Sequence, residues 1–282
     1  MIGTINSIVK EWVERTFTWQ WTVFFLIFLV ALVFRCWGLG DRAFHHDEYL
    51  HIQYSWNLAN GHGFQHNPLM HGPFQFLLNA VVFDLFWASD VLARVSYAIA
   101  GAILVFLPYF LRNYVGMIPS LVISLMLAFS PSLLYFSRFA RNDIYMALWT
   151  VILFILIWKY LKDNKDRYLF LSSAVLAFLY ATKETAYIVT AIFAAFLFVV
   201  AAPEILAVIF RRMKLSEFSP ASSCLLLLTT LMLPQWSAII GIVQGPIGVI
   251  LVNGDGALGL IGWPVGTGIF WVAGIISATI IL

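Results

Sequence analysis

The chain has 282 residues, of which 62% are apolar and 11% are charged, and its formal net charge is +2. This composition excludes an ordinary soluble domain, because the apolar residues recur in runs close to the roughly 20 residues that a helix needs to cross a bilayer. The small net charge gives no reason to expect a nucleic-acid partner. We therefore expect an all-α polytopic membrane protein.

The N-terminal part predicts one membrane span preceded by a short amphipathic lead. The lead covers residues 1–18, and the span runs from about Trp19 to Trp37. Tryptophans stand at both ends of this span, where the membrane interface favours them. No small-residue cleavage site follows the span, so we expect it to stay in place as a signal anchor.

The next segment, 38–91, carries an unusual group of polar residues. Residues Phe44–His51 read Phe-His-His-Asp-Glu-Tyr-Leu-His, and all six histidines of the chain lie between residues 45 and 71. Histidines needed only for packing would be scattered along the chain, whereas these gather beside Asp47 and Glu48. We interpret the segment as an outer loop that holds the chemical site.

The remaining apolar stretches predict one interfacial helix and seven further spans, about eight spans in all. Phe74–Trp87 is too short to cross a bilayer and predicts a helix that lies at the interface. The further spans are expected at about 92–111, 117–136, 144–161, 168–182, 185–202, 221–243 and 263–282. We expect residues 1–282 to form a single transmembrane domain.

The distribution of basic residues predicts the orientation. With the N-terminus in the cytoplasm, ten of the 16 Lys and Arg residues fall on the cytoplasmic side, which satisfies the positive-inside rule. The other six fall outside: Arg35, Arg42, Arg94, Arg138, Arg141 and Lys183. The loop 38–91 then faces the extracytoplasmic side.

Charged residues lie against the outer ends of several spans. Arg94 enters the second span, the group Arg138, Arg141 and Asp143 precedes the fourth, and the pair Lys183 and Glu184 follows the fifth. Ionisable groups at membrane depth are energetically costly and point to function. The sequence thus predicts a site of acids and bases at the outer membrane surface.

Transfer of a sugar from a polyprenyl phosphate would need this combination of residues. A carboxylate such as Asp47 or Glu48 can take the proton of an acceptor hydroxyl as its oxygen attacks the anomeric carbon. Cations stabilise the charge on the departing phosphate, and the planar guanidinium of arginine matches phosphate oxygens. For Arg138 and Arg141, snorkelling to the lipid headgroups accounts for their positions equally well.

Four motifs stand in order at span ends. They are His46-Asp47-Glu48 after the first span, Arg94 at the start of the second, Ser137-Arg138 with Asp143 before the fourth, and Thr182-Lys183 after the fifth. Over about residues 20–200 the chain resembles the GT-C superfamily of integral membrane glycosyltransferases. The resemblance is to the branch of protein O-mannosyltransferases and lipid A aminoarabinose transferases, and is closest to prokaryotic relatives associated with archaeal-type glycosylation.

The resemblance implies roles for the charged residues and a single inverting displacement. Asp47 would be the general base, Glu48 its partner in positioning the substrates, and Asp143 a further member of the catalytic group. The residues expected to bind the donor phosphate are Arg94, Arg138, Arg141 and Lys183, and those expected to support the site are His46, His51 and Glu184.

The metal requirement stays open at this stage. One divalent ion held by Asp47, Glu48 and a histidine is an alternative, and no other cofactor is expected. We expect His62, His66 and His71 to be loop residues that form local hydrogen bonds.

The main alternative to an enzyme is a non-catalytic GT-C-like subunit of a membrane complex, or a lipid-linked-sugar translocation factor. The expected partners of the enzyme are a polyprenyl-phosphate sugar, the bilayer and an acceptor that the sequence does not identify. Relatives usually carry more spans, so either a shortened relative or a chain lacking its C-terminal part is expected.

Overall fold

In the computed structural model, the described part of the chain is helical apart from one pair of two-residue strands. The described residues are 19–63, 70–210, 214, 217–232, 249–250 and 259–260. The helices are α1 (Trp19–Cys36), α2 (His46–Ala59), α3 (Phe74–Phe86), α4 (Leu92–Phe106), α5 (Arg112–Val115), α6 (Met117–Phe129), α7 (Pro131–Phe136), α8 (Asp143–Asp163), α9 (Asp166–Thr182), α10 (Ala186–Ile209) and α11 (Pro220–Leu231), with a 3₁₀ helix at Leu107–Leu111. The strands β1 (Val249–Ile250) and β2 (Gly259–Leu260) pair antiparallel.

Four helical runs among the described residues are long and apolar enough to cross a membrane. They are α1, the run Leu92–Val115 that contains α4 and α5, α8 and α10, and the shorter apolar helices α3, α6 and α11 accompany them. The prediction of an all-α membrane protein is confirmed, whereas the number of eight spans stays a prediction. The lead 1–18 and the span expected at 263–282 lie outside the described residues.

The span predicted at 117–136 is wrong as a single helix. α6 ends at Phe129, Ser130 has an extended backbone, and α7 begins at Pro131. Proline lacks the N–H that a helix interior needs, but it fits the first position of a new helix. The Ser130 side chain accepts a hydrogen bond from the Leu133 N–H and so caps α7. The chain therefore turns at this point.

Two compact units divide the chain, Met1–Ala195 and Phe196–Leu282. All candidate site residues named above lie in the first unit. In the second unit, Glu204 accepts hydrogen bonds from Ser219 N and Ser222 Oγ at the start of α11. The prediction of a single domain over 1–282, with an outer loop at 38–91, stays a prediction.

Helix α4 lies at the centre of the first unit, where it packs against α1, α3 and α8. Its buried face carries several small residues, Ala93, Ala98, Ala100, Gly101 and Ala102. Small side chains let helices approach closely in a membrane, where packing drives helix association. At Gly101 a Cβ atom would lie 2.4 Å from the Ser137 Cβ, so glycine is required there. This packing brings the loop 137–142 close to α4.

A buried arginine ties α1 to α6. Arg35 is fully buried and donates hydrogen bonds to Leu127 O at 3.0 Å and Ala128 O at 3.3 Å. The last carbonyl groups of a helix have no partner inside the helix, so this guanidinium satisfies two of them at the end of α6. Arg35 therefore acts as a structural contact between two helices.

Candidate active site

The Asp47–Glu48 pair stands in the first turn of α2. His45 caps this helix, because its Nδ1 accepts a hydrogen bond from Asp47 N at 3.2 Å and its own N–H donates to Glu48 Oε2 at 3.0 Å. Successive helical residues point about 100° apart, so the two carboxylates meet different surroundings. Glu48 is fully buried, whereas 39% of the Asp47 side chain is exposed. His46, the first residue of α2, is exposed.

Glu48 is the buried centre of the contacts around the start of α2. Its Oε1 accepts hydrogen bonds from Arg94 Nε at 2.8 Å and Ala140 N at 3.0 Å. Its Oε2 accepts from Arg94 Nη2 at 3.1 Å and Arg42 Nη2 at 2.9 Å, in addition to the His45 N–H. Both oxygens are thus occupied, and Glu48 joins the loop before α2, the helix α4 and the loop 137–142.

These contacts keep Glu48 ionised. Burial by itself would raise the pKa of Glu48, but the hydrogen bonds from Arg94, His45 and Ala140 outweigh it and hold the pKa below its usual value. A carboxylate that stays ionised and accepts hydrogen bonds at both oxygens is suited to holding neighbouring segments together. It is poorly suited to taking a proton from a substrate.

Arg94 is as buried as its partner, with 1% of its surface exposed. Besides Glu48, it donates to the carbonyls of Leu39 and Arg42 at 3.0 Å each, and its guanidinium lies 4.4 Å from the centre of the Phe44 ring. These contacts hold the loop that follows α1 against α4. Although the sequence groups Arg94 with the phosphate-binding residues, the structure directs its guanidinium at Glu48 and this loop.

Arg138 caps the end of α1. It donates hydrogen bonds to Phe34 O at 2.9 Å and to Gly38 O at 3.2 Å. The guanidinium therefore satisfies carbonyl groups at the end of a helix, and none of its described hydrogen bonds reaches the acidic residues of the site. Of the predicted phosphate-binding residues, Arg141 and Lys183 remain beside the half-exposed carboxylates.

Four charged side chains, each at least partly exposed, form one continuous row. Asp47 Oδ2 lies 3.1 Å from Arg141 Nη1, and Arg141 Nε lies 3.7 Å from Asp143 Oδ2. Asp143 Oδ1 then accepts a hydrogen bond from Lys183 Nζ at 2.8 Å. We call Asp47, Arg141, Asp143 and Lys183 the charged row. It brings together predicted residues from α2, the loop before α8, the start of α8 and the end of α9.

His71 extends the site, although the sequence did not identify it. Its Nδ1 lies 2.7 Å from Glu184 Oε2, so the expectation that His71 bonds only within its own loop is wrong. Burial would raise the pKa of Glu184, but hydrogen bonds from the backbone and from His71 hold it below its usual value. The predicted supporting residue Glu184 therefore has a histidine partner next to the charged row.

The backbone around His71 explains why this contact forms. His71 has a φ of +66°, which is uncommon for a residue other than glycine. The following Gly72 donates a hydrogen bond to Thr182 O at 3.2 Å, and a Cβ atom on it would lie 2.1 Å from Ala181 O. Glycine is therefore required where this loop meets the end of α9. The contact joins residues 113 positions apart, so no local pattern predicts it.

His51 lies behind the charged row and is 6% exposed. Its Nδ1 lies 2.5 Å from Gln75 Nε2, and its ring stacks on the His71 ring with 6.4 Å between centroids. Burial, together with the charges of His71 and Arg141, lowers the pKa of His51 to about 4 against the opposing effect of the two carboxylates of the row. His51 is therefore a neutral imidazole near pH 7.

The described residues do not form a metal centre. Within the described ranges, no group of three or more His, Cys, Asp or Glu side chains is placed to hold a metal ion. Because donors occupy both oxygens of Glu48, the alternative of an ion held by Asp47, Glu48 and a histidine lacks its second carboxylate. His62 lies beside the Trp56 ring, and His66 lies outside the described residues.

An apolar groove of about 590 Å³ opens between α3, α4 and α8. Its lining is aliphatic and aromatic apart from the hydroxyl-bearing residues Ser96 and Tyr145. Phe74 and Tyr145, which line the groove, follow His71 and Asp143 by three and two residues in the chain. The two helices α3 and α8, which begin shortly after His71 and at Asp143, thus supply walls of the groove.

Comparison with known proteins adds one finding. The family model described as dolichyl-phosphate-mannose-protein mannosyltransferase matches residues 70–238, which is more than half of the chain. The matched part contains Arg141, Asp143 and Lys183, whereas Asp47 and Glu48 precede it. No curated protein and no solved structure matches the chain.

Proposed function

The chain belongs to the dolichyl-phosphate-mannose-protein mannosyltransferase family, a family of GT-C-type membrane glycosyltransferases, and we propose that it transfers a sugar from a polyprenyl-phosphate carrier to an acceptor hydroxyl on the extracytoplasmic face. The observation that carries this proposal is the charged row, in which half-exposed carboxylates alternate with two cations beside an apolar groove.

Asp47 is the carboxylate that we assign as general base. Of the Asp47–Glu48 pair, only Asp47 is accessible, and a base must come within hydrogen-bonding distance of the proton that it removes. In the proposed step the acceptor oxygen forms a bond to the anomeric carbon, and its proton passes to Asp47. The bond from that carbon to the phosphate oxygen breaks, and its electron pair leaves with the phosphate.

Arg141 and Lys183 are the cations that we assign to the phosphate. The guanidinium of Arg141 has five N–H donors, and its contacts with Asp47 and Asp143 engage two of its nitrogens. The side chains of Arg141 and Lys183 are 32% and 16% exposed, so both can approach a headgroup at the surface. Fixed cations of this kind stabilise the charge that develops on a departing phosphate.

The groove between α3, α4 and α8 supports a donor with an isoprenoid chain. A lipid-linked substrate presents its phosphate at the headgroup level while its hydrocarbon chain stays in the apolar phase. The groove offers apolar walls, and two of its lining residues, Phe74 and Tyr145, follow His71 and Asp143 closely in the chain. The excess of Lys and Arg in the loops that the orientation places in the cytoplasm supports a site on the opposite, outer face.

Sugar transfer from a labelled polyprenyl-phosphate sugar by the purified full chain tests this function. Wild type and Asp47→Asn would be compared with a panel of lipid-linked donors, and with the corresponding nucleotide sugars as soluble alternatives. We expect turnover only with lipid-linked donors and only in wild type. Turnover with the nucleotide sugars, or equal turnover by both proteins, would contradict the assignment. Tight binding of the lipid phosphate without turnover of any donor would instead favour a non-catalytic subunit.

A further inference from the structure

A chain of buried polar side chains leads from His51 into the apolar interior. Gln75 on α3 is fully buried, and its Nε2 contacts His51 Nδ1. Its Oε1 accepts a hydrogen bond from Tyr97 OH on α4 at 3.4 Å. Burying polar groups is costly unless they are hydrogen-bonded, so the buried Tyr97 hydroxyl is expected to have further hydrogen-bond partners.

The continuation reaches the wall of the apolar groove. Asn79 Nδ2 donates to Tyr97 OH at 3.0 Å, Ser96 Oγ donates to Asn79 Oδ1 at 3.0 Å, and Tyr145 OH donates to Ser96 Oγ at 2.7 Å. Ser96 and Tyr145 line the groove. We call Gln75, Tyr97, Asn79, Ser96 and Tyr145 the polar chain. It has one end at the candidate active site and the other end on the groove.

The polar chain determines which ring nitrogen of His51 carries the hydrogen. A neutral imidazole has one nitrogen that donates and one that accepts. In the polar chain each group donates a hydrogen bond to the next one toward His51, and the last donor is the Gln75 amide. His51 Nδ1 therefore accepts a hydrogen bond, and Nε2 carries the hydrogen. The charged and titratable groups that act on His51 are Asp47, Arg141, Asp143 and His71. Among the described residues, no hydrogen bond engages Nε2.

We propose that His51 binds the phosphate of the lipid-linked donor through its Nε2–H, and that Gln75 and Tyr97 position it by fixing which nitrogen carries the hydrogen. This inference rests on the proposed function, because it assigns His51 to the same donor phosphate as Arg141 and Lys183. His51 then supplies a neutral donor beside two cations. A neutral donor adds a directed hydrogen bond without adding to the repulsion between positive charges.

Affinity for polyprenyl phosphate, measured on the purified full chain in detergent, tests this inference without requiring turnover. The matching polyprenol without its phosphate serves as the comparison ligand. His51→Asn carries its amide near the position of Nδ1, and His51→Gln carries it near Nε2. We expect His51→Asn to weaken phosphate-dependent binding roughly tenfold or more, which is typical of a lost hydrogen bond to a charged group, and His51→Gln to stay within about threefold of wild type.

Tyr97→Phe separates positioning from a general loss of structure. It should weaken phosphate binding about threefold in the wild-type background, and have no further effect in the His51→Gln background, where the amide does not depend on the polar chain. Tyr180→Phe is the matched control, because its hydroxyl bonds Thr190 outside the polar chain, and it should bind like wild type.

Three results would overturn the inference: wild-type affinity in His51→Asn, an equal loss for the polyprenol, or an equal effect of Tyr97→Phe in both backgrounds. Failure of the proposed function has a different signature. In that case the His51 variants change phosphate binding as described while no donor is turned over.

Discussion

The buried group around Glu48 and the partly exposed charged row are built from the same residue types, yet they meet opposite surroundings. Around Glu48, donors fill both oxygens and Arg94 is 1% exposed. In the row, Asp47 and Arg141 are 39% and 32% exposed, so their ion pair is close to water. A buried pair is costly to break, whereas an exposed one exchanges its partners readily. The first group therefore holds the loop, and the second is accessible from the surface.

Removing Arg94 should have the largest effect on stability, because it breaks the buried ion pair with Glu48. Arg94→Leu leaves the Glu48 carboxylate buried without its main partner, and we expect the free energy of unfolding to fall by about 3–5 kcal/mol. Thermal unfolding of the purified protein in detergent measures this change. Arg141→Leu is the matched control and should cost about 1 kcal/mol or less. Equal losses in the two variants would remove the distinction between the groups.

Gly72→Ala should disturb the row while leaving the Glu48 group intact. The added methyl group overlaps Ala181 O, so the loop must move away from the end of α9, at a cost of about 1–3 kcal/mol. His71 should then lose Glu184, and donor turnover should fall. Gly40→Ala is the comparison, because its methyl group would lie 2.9 Å from a side-chain carbon of Val91, so a side chain rather than a backbone oxygen has to shift. We expect a clear difference between these two substitutions in both the free energy of unfolding and the rate of sugar transfer.

Lys183→Ala should change substrate binding more than stability. Loss of a cation beside the phosphate should raise the KM for the lipid-linked donor roughly tenfold, whereas loss of its partly exposed pair with Asp143 should cost about 1 kcal/mol or less. Steady-state kinetics and thermal unfolding on the same preparation separate the two effects. Lys162→Ala, which changes an exposed lysine at the other end of α8, should leave both unchanged. A large loss of stability with unchanged KM would assign Lys183 to the scaffold.

At neutral pH the smallest effect is that of His51 protonation, because it appears only as the solution is acidified. The pKa of His51 is lowered from 6.5 to about 4 in the folded protein, so the unfolded state takes up a proton first as the solution is acidified. The contribution of neutral His51 to stability is complete above pH 6.5 and is lost as the pH falls toward 4. His51→Gln should remove this part of the slope of stability against pH. An unchanged slope would mean that His51 takes up its proton at the same pH in the folded and the unfolded protein.

Much of the site was predictable from where charges meet span ends. Asp47, Arg141, Asp143 and Lys183 were all named from the sequence, because ionisable groups at membrane depth are rare. The sequence could not predict that Glu48 is buried while Asp47 is exposed, because this difference depends on hydrogen bonds to Glu48 from Arg94 and Ala140 in distant segments. Polar residues inside apolar helices, such as Gln75 and Asn79, were equally unpredictable, because their hydrogen-bond partners come from other helices.

Other features differ in the signal that the sequence offered. The bounds of α3 were predicted to within one residue of its end, because its apolar stretch is bounded by Pro73 and by the polar residues after Trp87. Its position at the membrane interface stays a prediction. The break at Ser130–Pro131 carried a visible signal, a serine cap followed by proline, which outweighs the apolar character of the flanking residues. The contact between His71 and Glu184 carried none, because its residues are 113 positions apart.

Side-by-side measurement of Asp47→Asn and Glu48→Gln tests the central claim most directly, because each removes one charge from adjacent residues with little change in shape. We predict that Asp47→Asn unfolds like wild type and loses at least about a hundredfold in sugar transfer. Glu48→Gln should instead unfold several kcal/mol more easily, because donors that surround the carboxylate are left without a partner. Full sugar transfer in Asp47→Asn, together with a stable but inactive Glu48→Gln, would contradict the account and exchange the two roles.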